Sequence, residues 1–185
     1  MRNLVVLHGG TVTGQSAGPG TGSLFRVTLP RVVATDQPPD QPLPAEVQLE
    51  TLHGARILVV DDEADARELM ARILRDRRAA VLLAASADEA LALVCDERPD
   101  LIVSDIGMPG KDGLEFIQEV RALPGREALI PAIALTAFAR PEDCALALRC
   151  GFQKHLGKPI DSLAVTAACA DLLAAHASSE RAAAA

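Results

Sequence analysis

The segment from Ala55 to about Ala175 predicts an α/β fold, with a parallel sheet that is covered by helices on both faces. Five short apolar runs recur along this segment, and amphipathic helical periods separate them. The runs are apolar throughout, without the polar alternation of a sheet that has one face in water. Because strands that alternate with helices pair in parallel through right-handed crossovers, these observations predict five strands and five helices in one domain.

The strands are predicted at the apolar runs, which have the length of buried strands. They are RILVV (56–60), VLLAA (81–85), LIVS (101–104), AIALT (132–136) and KHLG (154–157).

The helices are predicted where apolar residues recur at helical spacing. The faces of the first two helices are Ala66, Leu69, Met70, Ile73 and Leu74, and then Ala87, Ala90, Leu91, Val94 and Cys95. Ser86 and Glu89 have the spacing of a capping box at the start of the second helix. Further helices are predicted over 113–122, over 141–150 with a proline in the first turn, and over 162–175.

Composition divides the rest of the chain into distinct zones. Residues 1–30 are rich in glycine, and residues 31–54 contain DQPPDQPLP, which predicts an extended linker. The regular domain is expected over 55–176 and a disordered tail over 177–185.

Charge and cysteine usage exclude several classes of function. The formal net charge is −7, and no basic stripe with interleaved aromatic residues is present, so we expect no nucleic-acid partner. The four cysteines form no CxxC pair and have no histidine at zinc spacing, so they predict small core residues in a reducing compartment; they are Cys95, Cys144, Cys150 and Cys169. No signal peptide or bilayer-length apolar run is seen, and we expect a cytoplasmic protein without a membrane segment.

Polar residues stand at the carboxyl ends of four predicted strands. They are Asp61 and Asp62 after the first strand, Asp105 after the third, Thr136 at the fourth and Lys158 after the fifth. Taken singly, each has an ordinary structural explanation as a helix cap, a turn residue or a solvated lysine. In a parallel sheet, however, these ends meet at the edge where ligands bind.

Three carboxylates that share one site repel each other unless a cation lies among them, and Mg²⁺ prefers oxygen ligands that include phosphate. A lysine and a hydroxyl donor stabilise the charge of a transferring phosphoryl group, for which an aspartate can be the nucleophile. The residues at the strand ends therefore predict Mg²⁺-assisted phosphoryl transfer.

Four segments carry a specific resemblance: ILVVDDE, PDLIVSDIGMPGKDG, IPAIALTA and GFQKHLGKP. They resemble the receiver domain of two-component response regulators. The resemblance implies a flavodoxin-like doubly wound (βα)5 fold with strand order 2-1-3-4-5. It also implies that Asp105 accepts a phosphoryl group from a phosphohistidine. Asp62, Asp105 and the Gly107 carbonyl would bind Mg²⁺, with Asp61 assisting through water, and Lys158 and Thr136 would contact the phosphate.

The same resemblance implies a conformational switch, in which Thr136 moves toward the phosphate. His155 occupies the place where the family usually has an aromatic switch residue, and its alternative interpretation is a partly buried histidine bonded to backbone. Ala137 is small enough for phosphoryl access, and Gly107 and Phe138 flank the site and are expected to influence the lifetime of the phosphate.

The first thirty residues carry a second resemblance, in LVVLHGGTVTGQSAGPGTGSLFRVTLP. This stretch resembles the end of the ATP-binding domain of sensor histidine kinases, with a last helix followed by a hairpin. The family's nucleotide-binding parts lie upstream of such a stretch, and no P-loop is present, so we expect neither ATP binding nor kinase activity. A kinase remnant, a linker and a receiver, in that order, imply a fragment of a hybrid histidine kinase.

The expected function is a phosphoacceptor in a phosphorelay, with a histidine kinase as donor and another protein, such as a histidine phosphotransfer protein, as the recipient of the signal. Such a domain catalyses its own phosphorylation and dephosphorylation and is not a stand-alone enzyme. One alternative is a Mg²⁺-dependent phosphohydrolase with an aspartate nucleophile, but haloacid-dehalogenase-like enzymes place that nucleophile in a D-x-D pattern after the first strand. The other alternative is an interaction module that takes no phosphate.

Overall fold

The computed structural model of the protein describes residues 11–16, 18, 20, 22–28, 52–136 and 141–183. The chain divides into two units, Met1–Glu46 and Val47–Ala185. The helix expected before residue 11, most of the proline-rich linker, Ala137 and Phe138 lie outside the described residues.

The first unit contains an antiparallel hairpin, as the sequence predicts. Strand β1 (Thr11–Ser16) pairs with β2 (Ser23–Thr28). The ring of Phe25 lies 3.3 Å from the point where a Cβ on the opposite Gly14 would stand. Phe25 is nevertheless 74% exposed, so the hairpin does not bury its largest apolar side chain.

The second unit contains a five-stranded parallel sheet. Its strands are β3 (Arg56–Val60), β4 (Ala80–Ala84), β5 (Leu101–Asp105), β6 (Ala132–Thr136) and β7 (Lys154–Gly157). Their order across the sheet is β4-β3-β5-β6-β7, and every neighbouring pair is parallel. This is the predicted order 2-1-3-4-5, and the predicted fold class is confirmed.

Helices cover both faces of the sheet. They are α1 (Ala64–Asp76), α2 (Ala87–Glu97), α3 (Gly113–Arg121), α4 (Pro141–Cys150) and α5 (Ser162–Ala183), with a 3-10 turn at Arg126–Leu129. Successive residues of a strand point to opposite faces. Leu58 and Val60 accordingly pack in one core cluster, and Ile57 and Val59 pack in the other. Burial on both faces explains why the strands are apolar throughout.

Two helices differ from their predicted patterns. In α1 the buried residues are Met70, Ala71 and Leu74, whereas Leu69 is 55% exposed, so the buried stripe is displaced from the predicted one. Helix α5 continues to Ala183, beyond the predicted end at residue 175 and into the segment predicted to be disordered. The reason is composition, because alanine has the highest helix propensity and no glycine or proline interrupts 162–183.

The cysteines differ from the expectation of uniform burial. Cys95 is exposed, although the helical spacing assigned it to the buried face of α2, and Cys144 and Cys150 are half-buried. Only Cys169 of the four is buried, and burial raises the pKa of its thiol to about 12. An apolar pattern over nine residues cannot distinguish the edge of a buried stripe from its centre, and Cys95 lies at that edge.

The core of the second unit begins before the predicted boundary at residue 55. Leu52 is 2% exposed and belongs to the cluster that contains Ile57. Its N–H donates to the Arg77 carbonyl at 2.9 Å, and its carbonyl accepts from the Ala55 N–H at 3.0 Å. The last residues assigned to the linker are therefore part of the packed domain.

The predicted capping box at Ser86 is only half formed. Ser86 Oγ accepts from the Glu89 N–H at 3.3 Å, but the Glu89 carboxylate accepts from Ala85 and not from Ser86. A complete box stands instead at the start of α3, between Asp112 and Glu115, which the sequence analysis did not identify. The signal for it was the D-x-x-E spacing before an apolar period.

No helix among the described residues is both long and apolar enough to cross a membrane.

Candidate functional site

The residues predicted at the strand ends meet at one edge of the sheet. Carboxylate oxygens of Asp61, Asp62 and Asp105 lie within 4.8 Å of one another. Asp61 and Asp105 are buried, at 2% and 8% exposure, and Asp62 is exposed. Thr136 is also buried, at the carboxyl end of β6.

Lys158 bridges the two buried carboxylates. Its Nζ lies 3.0 Å from Asp61 Oδ2 and 2.8 Å from Asp105 Oδ2. Burial opposes the positive charge of Lys158, but the hydrogen bonds with Asp105 and Asp61 outweigh burial and raise its pKa. One ammonium group therefore faces three carboxylates, and negative charge remains in excess at this edge.

Asp61 is held by its backbone as well as by its side chain. Its N–H donates to the Ala84 carbonyl on β4 at 3.2 Å, and its carbonyl accepts from Arg67 Nη1 at 2.6 Å. The second carboxylate oxygen, Oδ1, accepts from the Glu63 N–H at 2.9 Å, which forms the turn into α1. The acidic turn is therefore fixed before any ligand binds.

Asp105 is held in a similar way at the end of β5. Oδ1 accepts from the Gly107 N–H at 3.3 Å, while Oδ2 faces Lys158. Helix α3 begins directly against this backbone, because a Cβ on Gly113 would lie 2.8 Å from Ile106 Cα and closer still to the Asp105 carbonyl. Only glycine fits at position 113, and the sequence analysis recognised it merely as the start of a helix.

The loop between β5 and α3 is fastened at several points. Met108 is buried, at 6% exposure, and its N–H donates to the Ile106 carbonyl at 3.0 Å. Lys111 forms ion pairs with Asp88 on α2 and Glu119 on α3. Sequence reasoning gave no role to Lys111, because its partners lie on two different helices and no local spacing indicates them.

The two predicted switch residues lie on neighbouring strands. Thr136 pairs in register with Gly157, and its carbonyl accepts from the Lys158 N–H at 2.8 Å. His155 is half-buried on β7, in register with Ala134. A predicted switch role for either residue stays a prediction.

The chemistry of the donor set fits Mg²⁺. The clustered atoms are carboxylate oxygens, which are the ligands that Mg²⁺ prefers, and one of the three acids is open to solvent. The residual negative charge also favours a divalent cation. Asp61, Asp62, Asp105 and the backbone carbonyl of the exposed Gly107 are the groups that would hold it.

Comparison with known proteins agrees with this arrangement. Residues 57–170 match the family model described as the response regulator receiver domain. Over 115 residues the chain is 52% identical to an uncharacterized 14.6 kDa protein from the sodA1 3′ region of Leptolyngbya boryana, covering 62% of this chain and 87% of that protein.

A second relative is much longer than the matching region. The regulatory protein AtoC of Escherichia coli is 36% identical over 106 residues, which is 57% of this chain but only 22% of AtoC. Among solved structures, the signal receiver domain of a signal transduction histidine kinase from Syntrophus aciditrophicus aligns with a TM-score of 0.60 and 29% identity, covering 65% of this chain and 91% of that one.

Proposed function

The chain belongs to the response regulator receiver domain family, and on this basis we propose that it is the phosphoacceptor of a two-component phosphorelay, with Asp105 as the accepting residue. The observation that carries the proposal is the double contact of Lys158 with Asp61 and Asp105 inside a group of three carboxylates. This contact places the ammonium group of Lys158 against the carboxylate that we assign as the nucleophile.

In the proposed reaction, a carboxylate oxygen of Asp105 attacks the phosphorus of a phosphohistidine in a histidine kinase. A new O–P bond forms, the P–N bond breaks, and the imidazole nitrogen leaves with the bonding electron pair. Lys158 and the Thr136 hydroxyl lie at the same edge and are the groups that we assign to the phosphoryl oxygens. When bound, Mg²⁺ would offset the repulsion between the carboxylates and the incoming phosphoryl group.

We further propose that phosphorylation is read by another protein, such as a histidine phosphotransfer protein. An aspartyl phosphate adds negative charge at one point of the sheet edge, and we expect this charge to change the positions of Thr136 and His155. Free thiols at Cys95 and Cys169 support a reducing, cytoplasmic location for this reaction.

The test is to incubate purified protein with acetyl phosphate, with Mg²⁺ or with EDTA, and to follow it by intact mass and a phosphate-affinity gel. We expect one hydroxylamine-labile phosphoryl group that requires Mg²⁺ and that is absent in Asp105→Asn. A purified histidine kinase with ATP serves as a second donor. If neither donor phosphorylates folded wild-type protein, the proposal is overturned in favour of an interaction module.

The phosphohydrolase alternative has weaker support. Lys158 and the Gly107 N–H both contact Asp105, which ends β5, the third strand of the parallel sheet along the chain. A D-x-D enzyme instead places its nucleophile after the first strand of such a sheet. Steady turnover of p-nitrophenyl phosphate by wild-type protein, abolished by Asp61→Asn, would restore that alternative.

We also propose that residues 1–30 derive from the end of a histidine kinase ATP-binding domain, which would make the receiver part of a hybrid kinase. The antiparallel hairpin with LFRVT in β2 supports this, as does the similarity to a receiver domain that belongs to a histidine kinase. We expect phosphorylation from ATP only when a separate kinase is added. Phosphorylation by ATP and the purified chain alone would contradict this assignment.

A further inference from the structure

A lysine in the loop that follows the acceptor strand ties that loop to two helices. Lys111 Nζ lies 2.7 Å from Asp88 Oδ1 on α2 and 2.9 Å from Glu119 on α3. The hydrogen bonds with Asp88 and Glu119 raise the pKa of Lys111 above its ordinary value. Its side chain is 29% exposed, which places the ion pairs at the rim and not in the core.

The loop needs such a tie because of its composition. It contains Gly107, Pro109 and Gly110, all exposed, and Gly110 has a φ of 78°, in the left-handed region that favours glycine. Glycine leaves the backbone free to adopt other conformations. The Gly107 N–H is nevertheless directed at Asp105 Oδ1, a contact that requires the loop to keep one conformation.

The loop is fixed at several points, among them the hydrogen bond from the Gly113 N–H to the Ile106 carbonyl at 3.0 Å, and Lys111 supplies one more. Met108 is buried in the core cluster that α2 and α3 also form. Asp112 caps α3 by accepting from the N–H groups of Leu114 and Glu115. Lys111 fixes the stretch between these two points from the side, by joining it to α2 as well as to α3.

We propose that Lys111 is a positioning residue for the phosphoacceptor site, which holds the β5–α3 loop so that the N–H and carbonyl of Gly107 stay beside Asp105. This inference rests on the proposed function for its catalytic consequence, but the hold on the loop is a property of the metal-free protein. Lys111 acts through Gly107 and touches neither Asp105 nor the phosphate in this assignment.

The chain offers a matched control. Lys154 on β7 pairs with Asp171 on α5 at 2.6 Å, and its side chain is 32% exposed. This single pair resembles the Lys111–Asp88 pair in residue types, distance and lysine exposure, although Lys111 also pairs with Glu119. It involves no residue of the β5–α3 loop. The variants to compare are Lys111→Gln, Lys111→Arg and Lys154→Gln.

The first measurement is amide hydrogen exchange, resolved by NMR, at Gly107 in Mg²⁺-free protein, because its N–H donates to Asp105 Oδ1. The second is the Kd for Mg²⁺ from isothermal titration calorimetry, chosen because the chain has no Trp or Tyr for a fluorescence titration. In Lys111→Gln we expect faster exchange at Gly107 and a Kd weakened about three- to tenfold, the range that one or two exposed ion pairs allow. Lys111→Arg should restore both values, and Lys154→Gln should leave both unchanged.

The inference would be overturned if Lys111→Gln kept the exchange rate and the Mg²⁺ affinity of wild-type protein. It would also be overturned if Lys154→Gln changed both quantities as much as Lys111→Gln does, because that result would indicate a general loss of stability. Failure of the proposed function gives a different pattern. In that case wild-type protein takes no phosphoryl group from either donor, while the exchange rate at Gly107 still decides whether Lys111 holds the loop.

Discussion

Replacing Asp62 by Asn should stabilise the metal-free protein and strongly reduce its response to Mg²⁺. Asp62 is the exposed member of the three carboxylates. The other two, Asp61 and Asp105, both form ion pairs with Lys158. Without a bound cation, the charge of Asp62 is repelled by Asp61 and Asp105, and its attraction to Lys158 is too weak to balance that repulsion. Asn keeps the shape of Asp and removes the charge.

The size of the effect follows from the geometry. The carboxylate oxygens lie within 4.8 Å of one another, and at that distance two unit charges in water interact by about 0.9 kcal/mol. The dielectric of water is the appropriate choice because Asp62 is exposed. Two repulsive pairs, reduced by the attraction to Lys158, by the favourable position of Asp62 just before the N-terminus of α1 and by screening at physiological salt, leave a net gain of about 0.5 kcal/mol for Asp62→Asn.

Mg²⁺ should reverse the order of stability. A ligand that binds only the folded state at 100 times its Kd adds about 2.7 kcal/mol to the free energy of unfolding. Wild-type protein should gain this amount and Asp62→Asn much less. The variant is therefore expected to be the more stable protein in EDTA and the less stable one in saturating Mg²⁺.

The assay is urea unfolding at pH 7, followed by circular dichroism, in EDTA and in Mg²⁺. Asp65→Asn is a suitable control, because Asp65 is also exposed and lies in the first turn of α1, outside the carboxylate group. It should lose a little stability through the helix dipole and keep the full response to Mg²⁺. Destabilisation of Asp62→Asn in EDTA, or a wild-type response of that variant to Mg²⁺, would refute the reasoning.

Three further predictions concern stability and reactivity. Leu52→Ala should lower the free energy of unfolding by about 2–4 kcal/mol, because it empties a buried position; an unchanged urea midpoint would show that the domain begins later. Arg121→Met should cost about 1–2 kcal/mol, since the half-buried guanidinium holds the Gly151 and Ala128 carbonyls; loss of the same size in an exposed Arg75→Met would contradict this explanation. In native protein at pH 8, iodoacetamide should modify Cys95 first and spare Cys169, whose pKa is about 12, and peptide mass mapping that finds equal labelling would disprove the burial argument.

The site was predictable because it depends on the ends of strands. Asp61 and Asp105 each follow a run of apolar residues, and parallel strands bring such ends to one edge whatever the intervening sequence. Lys158 follows the last strand in the same way and ends at the same edge, but β6 separates β7 from β5, so its contact with both acids also requires the reach of a long side chain.

The remaining features depend on long side chains and on neighbours from other elements. Lys111 reaches acids on two helices, and Arg121 reaches carbonyls in two turns, so neither contact has a local spacing that a sequence pattern could show. The exposure of Leu69 has a related cause. Helix α1 buries Ala71 in its place, and a pattern of large apolar residues gives alanine too little weight.

The distribution of burial explains how the domain tolerates a charged site that costs stability. Its stability comes from two apolar clusters, one on each face of the sheet, and neither cluster contains the acidic residues. Unbalanced charge at the sheet edge is therefore a local cost that packing elsewhere offsets. Substitutions in the core and at the sheet edge should therefore differ in how their effect on stability depends on Mg²⁺. Leu52→Ala should lower stability by the same amount with and without Mg²⁺, whereas Asp62→Asn should change stability in opposite directions under the two conditions.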